Sequence, residues 1–220
     1  AYDSACGRIL QIHGDYMFHI NRTLRVNDIS DGIPVFIPTN LYMDDVRDYV
    51  LMDNYAYVMA EDSTDHYLMG YIHVVDISDP ANMTMMTTYD LDNVSSSSQV
   101  EIYGENIYIA DSVNDLVQII SLADPLNPVL IETVVMDVDD WFRDIGDGLI
   151  AFQREDNAID LYDISDPLNW NYLGYIPTPD GSPMGFAFAD EYIYMDIGST
   201  IGSYNFANGQ LARVSETGPD

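Results

Sequence analysis

Apolar positions along this chain alternate with polar ones at a period of two, or gather in short runs, and no stretch shows the three-to-four spacing of an amphipathic helix. Five segments share one form, an alternating run broken by an acid, Asn or Gly and resumed with aromatics. They are "RILQIHGDYMFHI" (8–20), "DYVLMDNYAYVMA" (48–60), "QVEIYGENIYIAD" (99–111), "WFRDIGDGLIAFQ" (141–153) and "GFAFADEYIYMD" (185–196). Each predicts a β-hairpin, with turns at Gly14, Asp53, Gly104, Asp147 and Asp190. A second form follows each hairpin: "LRVNDISDGIPVFI" (24–37), "IHVVDISDPANMTMM" (72–86), "VQIISLADPLNPVLI" (117–131), "IDLYDISDPLNWNYL" (159–173) and a worn copy, "IGSYNFANGQLARV" (201–214). This predicts strand, turn, strand, because Pro presets a turn angle and the Asp before it can bond forward to the backbone.

Matching positions Asp28, Asp76, Ser121, Asp163 and Asn205 stand 48, 45, 42 and 42 residues apart. Four short strands per repeat and five repeats predict about twenty strands in propeller blades, since one such sheet cannot bury both of its faces alone. The expected fold is all-β, a five-bladed β-propeller of four-stranded antiparallel blades forming a single domain over residues 1–220. The blades fall near 1–43, 44–92, 93–138, 139–180 and 181–220.

"YIHVVDISDPANM" (71–83) and "DLVQIISLADPLNPVLIETV" (115–134), each preceded by a "YAYVMA" or "IYIAD" strand, resemble the LVIVD repeat, a β-propeller family of bacterial and archaeal surface or secreted proteins. The resemblance is strongest in blades two to four, whereas the first has "NDISDG" and the fifth keeps only "YNFANG". It implies a propeller fold and an extracellular or envelope location, and it carries no catalytic residues. Five complete repeats contain no split blade to clasp a ring, so closure would rest on packing.

Charge changes the picture most. Seven Arg and no Lys oppose 37 acids, 30 of them Asp, for a net charge of −30. That excludes nucleic-acid binding by phosphate neutralisation and disfavours anionic lipid. Self-repulsion on this scale suits surroundings where salt or divalent cations screen it. The lone cysteine, Cys6, rules out an intrachain disulfide framework, and no apolar run approaches a membrane span. The opening "AYDSACG" has the look of a mature or trimmed terminus. Acceptor sequons at Asn21, Asn82 and Asn93 permit glycosylation in a secreted glycoprotein.

Candidate chemistry gathers on the longer connections, where a rigid scaffold usually places its binding residues. These include "EDSTDHYLMG" (61–70), "YDLDNVSSSSQ" (89–99), "DSVND" (111–115), "VMDVDDWFRD" (135–144) and "REDN" (154–157). Asp44, Asp45 and Asp48, with Asp137, Asp139 and Asp140 beside Trp141, are the expected binding residues, as an acidic rim with one exposed ring. Carboxylates on such a rim suit Ca²⁺, with Asp62, Asp65, Asp139 and Asp140 as candidate ligands, although no EF-hand spacing is present. The four His are scattered and predict no zinc site; His66 beside Asp65 is the one placed in a loop. Most of the 17 Tyr fall at strand positions that pack between blades.

Glycoside chemistry needs two carboxyl groups at a fixed separation, and only Glu101 among the seven Glu falls on a first strand. No catalytic residue and no certain cofactor is therefore assigned. The expected function is a non-catalytic extracellular or cell-surface module that meets a protein partner, basic or calcium-bridged, or assembles with itself into a layer or filament. The alternative is a glycan-binding or glycoside-processing propeller with carboxylates in a central channel.

Overall fold

The computed structural model describes residues 10–20, 23–39, 41, 43, 46–62, 65–95, 98–136, 141–178, 185–189, 192–197, 200–207 and 210–217. The fold is a five-bladed β-propeller of four-stranded antiparallel blades. Blade one comprises β1 (Leu10–His13), β2 (Tyr16–Ile20), β3 (Leu24–Asp28) and β4 (Val35–Ile37). Blade two comprises β5 (Val46–Met52), β6 (Tyr55–Asp62), β7 (Asp65–Asp76) and β8 (Thr84–Ser95). β9 (Gln99–Tyr103), β10 (Asn106–Asp111), β11 (Leu116–Ser121) and β12 (Val129–Val135) make the third. The fourth is β13 (Trp141–Gly146), β14 (Leu149–Gln153), β15 (Ile159–Asp163) and β16 (Asn171–Ile176). β17 (Phe186–Ala189), β18 (Tyr192–Ile197), β19 (Thr200–Ala207) and β20 (Gln210–Thr217) complete the fifth. A single turn of 3-10 helix, Pro80–Asn82, is the one helical element among the described residues. No helix there is long and apolar enough to cross a membrane.

The chain divides into two compact units, residues 1–134 and 135–220. Within the first unit, the blades pack face to face. Phe18, Leu24 and Val26 of blade one bury against Tyr49, Ala56, Val58 and Val75 of blade two. The other face of blade two, Tyr57, Met59, Ile72 and Val74, buries against Val100, Ile107, Ile109 and Ile120 of blade three. Blade two is thus covered on both sides, which is why "YAYVMA" is nearly all apolar instead of alternating. In the second unit, Ala151, Ile159, Leu161 and Ile176 of blade four pack on Ile193, Met195 and Tyr204 of blade five.

The hairpin turns fall where the sequence places them. Gly14, Asp53, Gly104 and Asp147 adopt φ of 58°, 52°, 59° and 52°, a region open to Gly and tolerated by Asp; Asp190 lies outside the described residues. Two stretches expected to be loops are largely strand. β6 runs to Asp62 and β7 starts at Asp65, so His66 belongs to a strand, and β8 continues through the polar "YDLDNVS" to Ser95. Polarity there does not mark a loop, because a strand with one solvated face carries polar residues as readily as a loop does.

The recurring turns have one chemistry. Asp28, Asp76 and Asp163 each accept the amide two residues on, at 2.8, 2.9 and 2.9 Å, and Ser121 replaces them in blade three at 3.3 Å. Next, Asp79, Asp124 and Asp166 accept the amides of Ala81, Leu126 and Leu168, at 3.0 to 3.1 Å. Their second oxygens take the side-chain amides of Asn82, Asn127 and Asn169, at 2.7 to 2.8 Å. The turn is therefore a four-residue Asp-Pro-x-Asn clamp, and the Asn amide of the Asn82 sequon is held within it.

These bonds hold carboxyls below their usual range. The Ser30 hydroxyl and amide do so for Asp28, those of Ser78 for Asp76, and the Asn169 side chain with the Leu168 amide for Asp166. Since folding lowers these pKa values, their contribution is complete above the ordinary value of 3.8 and is lost as pH falls through the folded values. In about 1 M NaCl, where the Debye length is about 3 Å and net charge is screened, the melting temperature is expected to fall only below about pH 4. A melting temperature that held steady or rose between pH 5 and 3, roughly, would remove these turns from the stability account.

Candidate functional site

Blade four carries an aromatic ledge, and its construction begins with a bulge. The β15–β16 register pairs Asp160 with Tyr175 and Tyr162 with Tyr172, with an irregularity between Leu161 and Tyr162. Gly174, which faces Leu161, takes φ of 132°, a conformation that side chains rarely adopt. The extra residue is what brings Tyr172 and Tyr175, three apart in sequence, to the same face as Tyr162 and Asp160.

The Asp166 clamp then sets Trp170, whose Nε1 donates to the Pro167 carbonyl at 3.0 Å. Trp170 stacks on Phe152 at 6.4 Å and 28° and tilts against Tyr162 at 6.1 Å, while Tyr162 meets Tyr172 at 5.2 Å. Tyr172 Oη donates to Asp160 Oδ1 at 2.8 Å. Burial, and after it this bond to Asp160, pushes the Tyr172 phenol up to about 12. Burial also raises the Asp160 carboxyl, opposed by the Tyr172 bond and by Arg154.

Although the Tyr172 hydroxyl is bonded inward, its residue remains 50% exposed, and Tyr175 is 53% exposed. Arg154 completes the ledge. Its guanidinium lies over the Tyr175 ring, 5.4 Å from the centroid, with Nη2 on Asp156 Oδ2 at 2.8 Å and Nη1 3.8 Å from Asp160 Oδ1. A tight turn fixes its backbone: Arg154 N donates to the Ala158 carbonyl, and Asn157 N to the Arg154 carbonyl, each at 2.9 Å. At this exposure an ion pair is worth about 0–1 kcal/mol and a cation–π contact about 0.5–1 kcal/mol. The backbone of Arg154 is thus fixed, while each of these head-group contacts is individually weak.

The LVIVD repeat model matches residues 44–91 and 95–135, covering most of blade two and all of blade three. Two LVIVD repeats therefore sit among the five four-stranded blades. The chain is a β-propeller that carries LVIVD repeats. No curated protein matches this LVIVD-repeat propeller in sequence. Among solved structures it is similar to a functionally unknown protein of Desulfotomaculum acetoxidans, with a TM-score of 0.71 and 14% identity over 96% of this chain and 69% of that one. It is also similar to a protein of Bacteroides fragilis provisionally assigned as a 6-phosphogluconolactonase, with a TM-score of 0.70 and 15% identity over 96% and 70%. A third similar structure is the periplasmic gluconolactonase of Pseudomonas aeruginosa, with a TM-score of 0.66 and 10% identity over 93% and 68%. At these identities the likeness is one of fold.

In the LVIVD-repeat propeller, Asp44, Asp45, Asp137, Asp139 and Asp140 lie outside the described residues. Trp141 opens β13, and Asp62 and Asp65 face each other across the β6–β7 hairpin. Among the described residues, no group of three or more His, Cys, Asp or Glu could hold a metal ion. Asp48 sits in β5 instead of a loop, and only 3% of it is exposed. Its Oδ1 accepts Tyr49 N at 2.9 Å and its Oδ2 accepts Val100 N, on the first strand of the next blade, at 3.0 Å. In the second unit Asp144 repeats this, taking Ile145 N at 2.8 Å and Phe188 N at 3.4 Å.

Both aspartates sit at a bulge in the first strand of their blade and follow an arginine, so the paired Arg-Asp dipeptides at 47–48 and 143–144 were a usable signal in the sequence. Gln11 makes a neutral version of the staple: its Oε1 accepts Leu51 N at 3.1 Å and its Nε2 donates to the Tyr49 carbonyl at 3.2 Å. Of the ledge residues, Arg154 and Asp156 fell within the "REDN" connection, while Asp160, Tyr172 and Tyr175 were not singled out by sequence reasoning. The available signal was "NYLGY", a Gly between two Tyr in a strand that follows an Asp-Pro-x-Asn turn.

Proposed function

We propose that this propeller is a non-catalytic binding module, secreted or displayed at the cell surface, that meets a basic protein partner on the blade-four ledge. One observation carries the reading: Tyr172, whose hydroxyl is bonded inward to Asp160, and Tyr175, beneath the Arg154 guanidinium, both remain half-exposed beside carboxylates. Rings held this way offer contact area at little further entropic cost, which is how aromatic residues come to dominate binding surfaces. The net charge of −30 supports a cationic partner, whose approach it would steer. The family resemblance supports the location. A second reading, sugar binding, draws on the same exposed Tyr rings, which could stack on a sugar face.

The test is calorimetric titration with a small basic globular protein at about 50 and 500 mM salt. Binding is expected at low salt and to weaken at high salt. The Tyr172→Ala/Tyr175→Ala double variant should lose about tenfold in affinity at either salt, as hot-spot aromatics do. Equal affinity of the double variant and the unaltered protein would discard the ledge as the contact surface.

A further inference from the structure

We infer that the ledge is a guanidinium site whose resident occupant is Arg154, and that an arginine of a basic partner exchanges with it. The inference rests on the reading of the ledge as the partner-contact surface and names what that surface reads. Arg154 displays the recognition chemistry within the chain. Its planar head covers the Tyr175 ring while one carboxylate, Asp156, bonds an edge nitrogen, and a second, Asp160, lies 3.8 Å from another. Asp160 is held in place by the Tyr172 hydroxyl, so the second carboxylate is a fixed part of the site. A flat cation with several donors fits a ring and two carboxylates better than a compact ammonium does, which predicts preference for arginine over lysine.

Exchange is open to this group because only its side chain has to move. The backbone bonds of Arg154 to Ala158 and Asn157 stay made while the head group, with 38% of its side chain exposed, swings into water. Charge favours an incoming cation, because 37 acids face seven arginines over the whole chain. Arg154 therefore acts as a weak internal competitor that sets a threshold for partners with a well-placed arginine.

The experiment measures fluorescence anisotropy of two labelled peptides of about nine residues, one with three arginines and one with lysines in their place, in about 150 mM salt. Arg154→Ala should strengthen binding of the arginine peptide about tenfold and that of the lysine peptide less than about threefold. On the Arg154→Ala background, Tyr175→Ala should then weaken the arginine peptide about fivefold. Asp156→Asn, which keeps an oxygen for the Ala158 amide, should weaken it about threefold.

Equal arginine and lysine affinities with no response to Arg154→Ala would overturn the guanidinium site and leave the basic-partner reading intact. Failure of both peptides to bind any variant would remove both readings. Salt-insensitive binding of a neutral oligosaccharide, lost in Tyr172→Ala, would overturn the assignment in favour of sugar. These are surface side chains, and a melting curve for each variant confirms that it folds.

Discussion

Asp48→Ala is expected to lower the melting temperature by about 10 °C. The carboxylate is buried and accepts two backbone amides, Tyr49 N beside it and Val100 N 52 residues away. Alanine leaves both amides without this partner where water does not reach, and each orphaned buried donor costs about 1–3 kcal/mol. For a chain of this size, 1 kcal/mol shifts the midpoint by about 2–4 °C. Asp48→Asn keeps one acceptor oxygen and should lose about half as much. A scan in which Asp48→Ala melts within about 2 °C of the unaltered protein would show that the staple contributes nothing.

The second large effect is expected at Asp111, which is 1% exposed. Its Oδ1 accepts Ser95 Oγ at 2.6 Å, Val113 N at 3.0 Å and Asn114 N at 3.3 Å. Its Oδ2 accepts Ser95 N at 2.7 Å and Asn114 Nδ2 at 2.8 Å. One carboxylate thus ties the end of β8 in blade two to the β10–β11 turn in blade three. Asp111→Ala should cost about 4 kcal/mol, read as a drop of about 1–2 M in the urea midpoint. Ser95→Ala removes one hydroxyl bond and keeps the amide bond, so it should cost about 1 kcal/mol. If the two variants unfolded at the same urea concentration, the carboxylate would not be the centre of the network.

Local chemistry made most of the fold legible. Period-two runs, φ-permissive residues at Gly14 and Asp53 and the Asp-Pro turns all act within a few residues, so the strand count and turn positions could be read directly from the chain. Length was harder to read: β7 and β8 extend into polar sequence, and polar residues in a strand look the same along the chain as polar residues in a loop. The staples were hidden for a different reason. An aspartate in a strand ordinarily faces water, and nothing near Asp48 in sequence shows that Val100 N will reach it. The ledge depends on a bulge at Gly174 that swaps the faces of β16, and strict alternation would have set Tyr172 and Tyr175 on opposite sides. Its resident cation, Arg154, lies six residues before Asp160, and the two meet only after β15 has paired with its neighbours.

The staples also share a direction. Gln11 reaches Tyr49 and Leu51, Asp48 reaches Val100, and Asp144 reaches Phe188, so in each case the capturing side chain precedes the captured backbone in the chain. As the polypeptide leaves the ribosome, each of these three docking groups is already in place when the strand it holds is made, whereas Asp111 reaches back to the earlier Ser95. For these three staples synthesis order and attachment order coincide, and a permuted gene that opened between residues 48 and 100 would reverse that timing for the Asp48 staple.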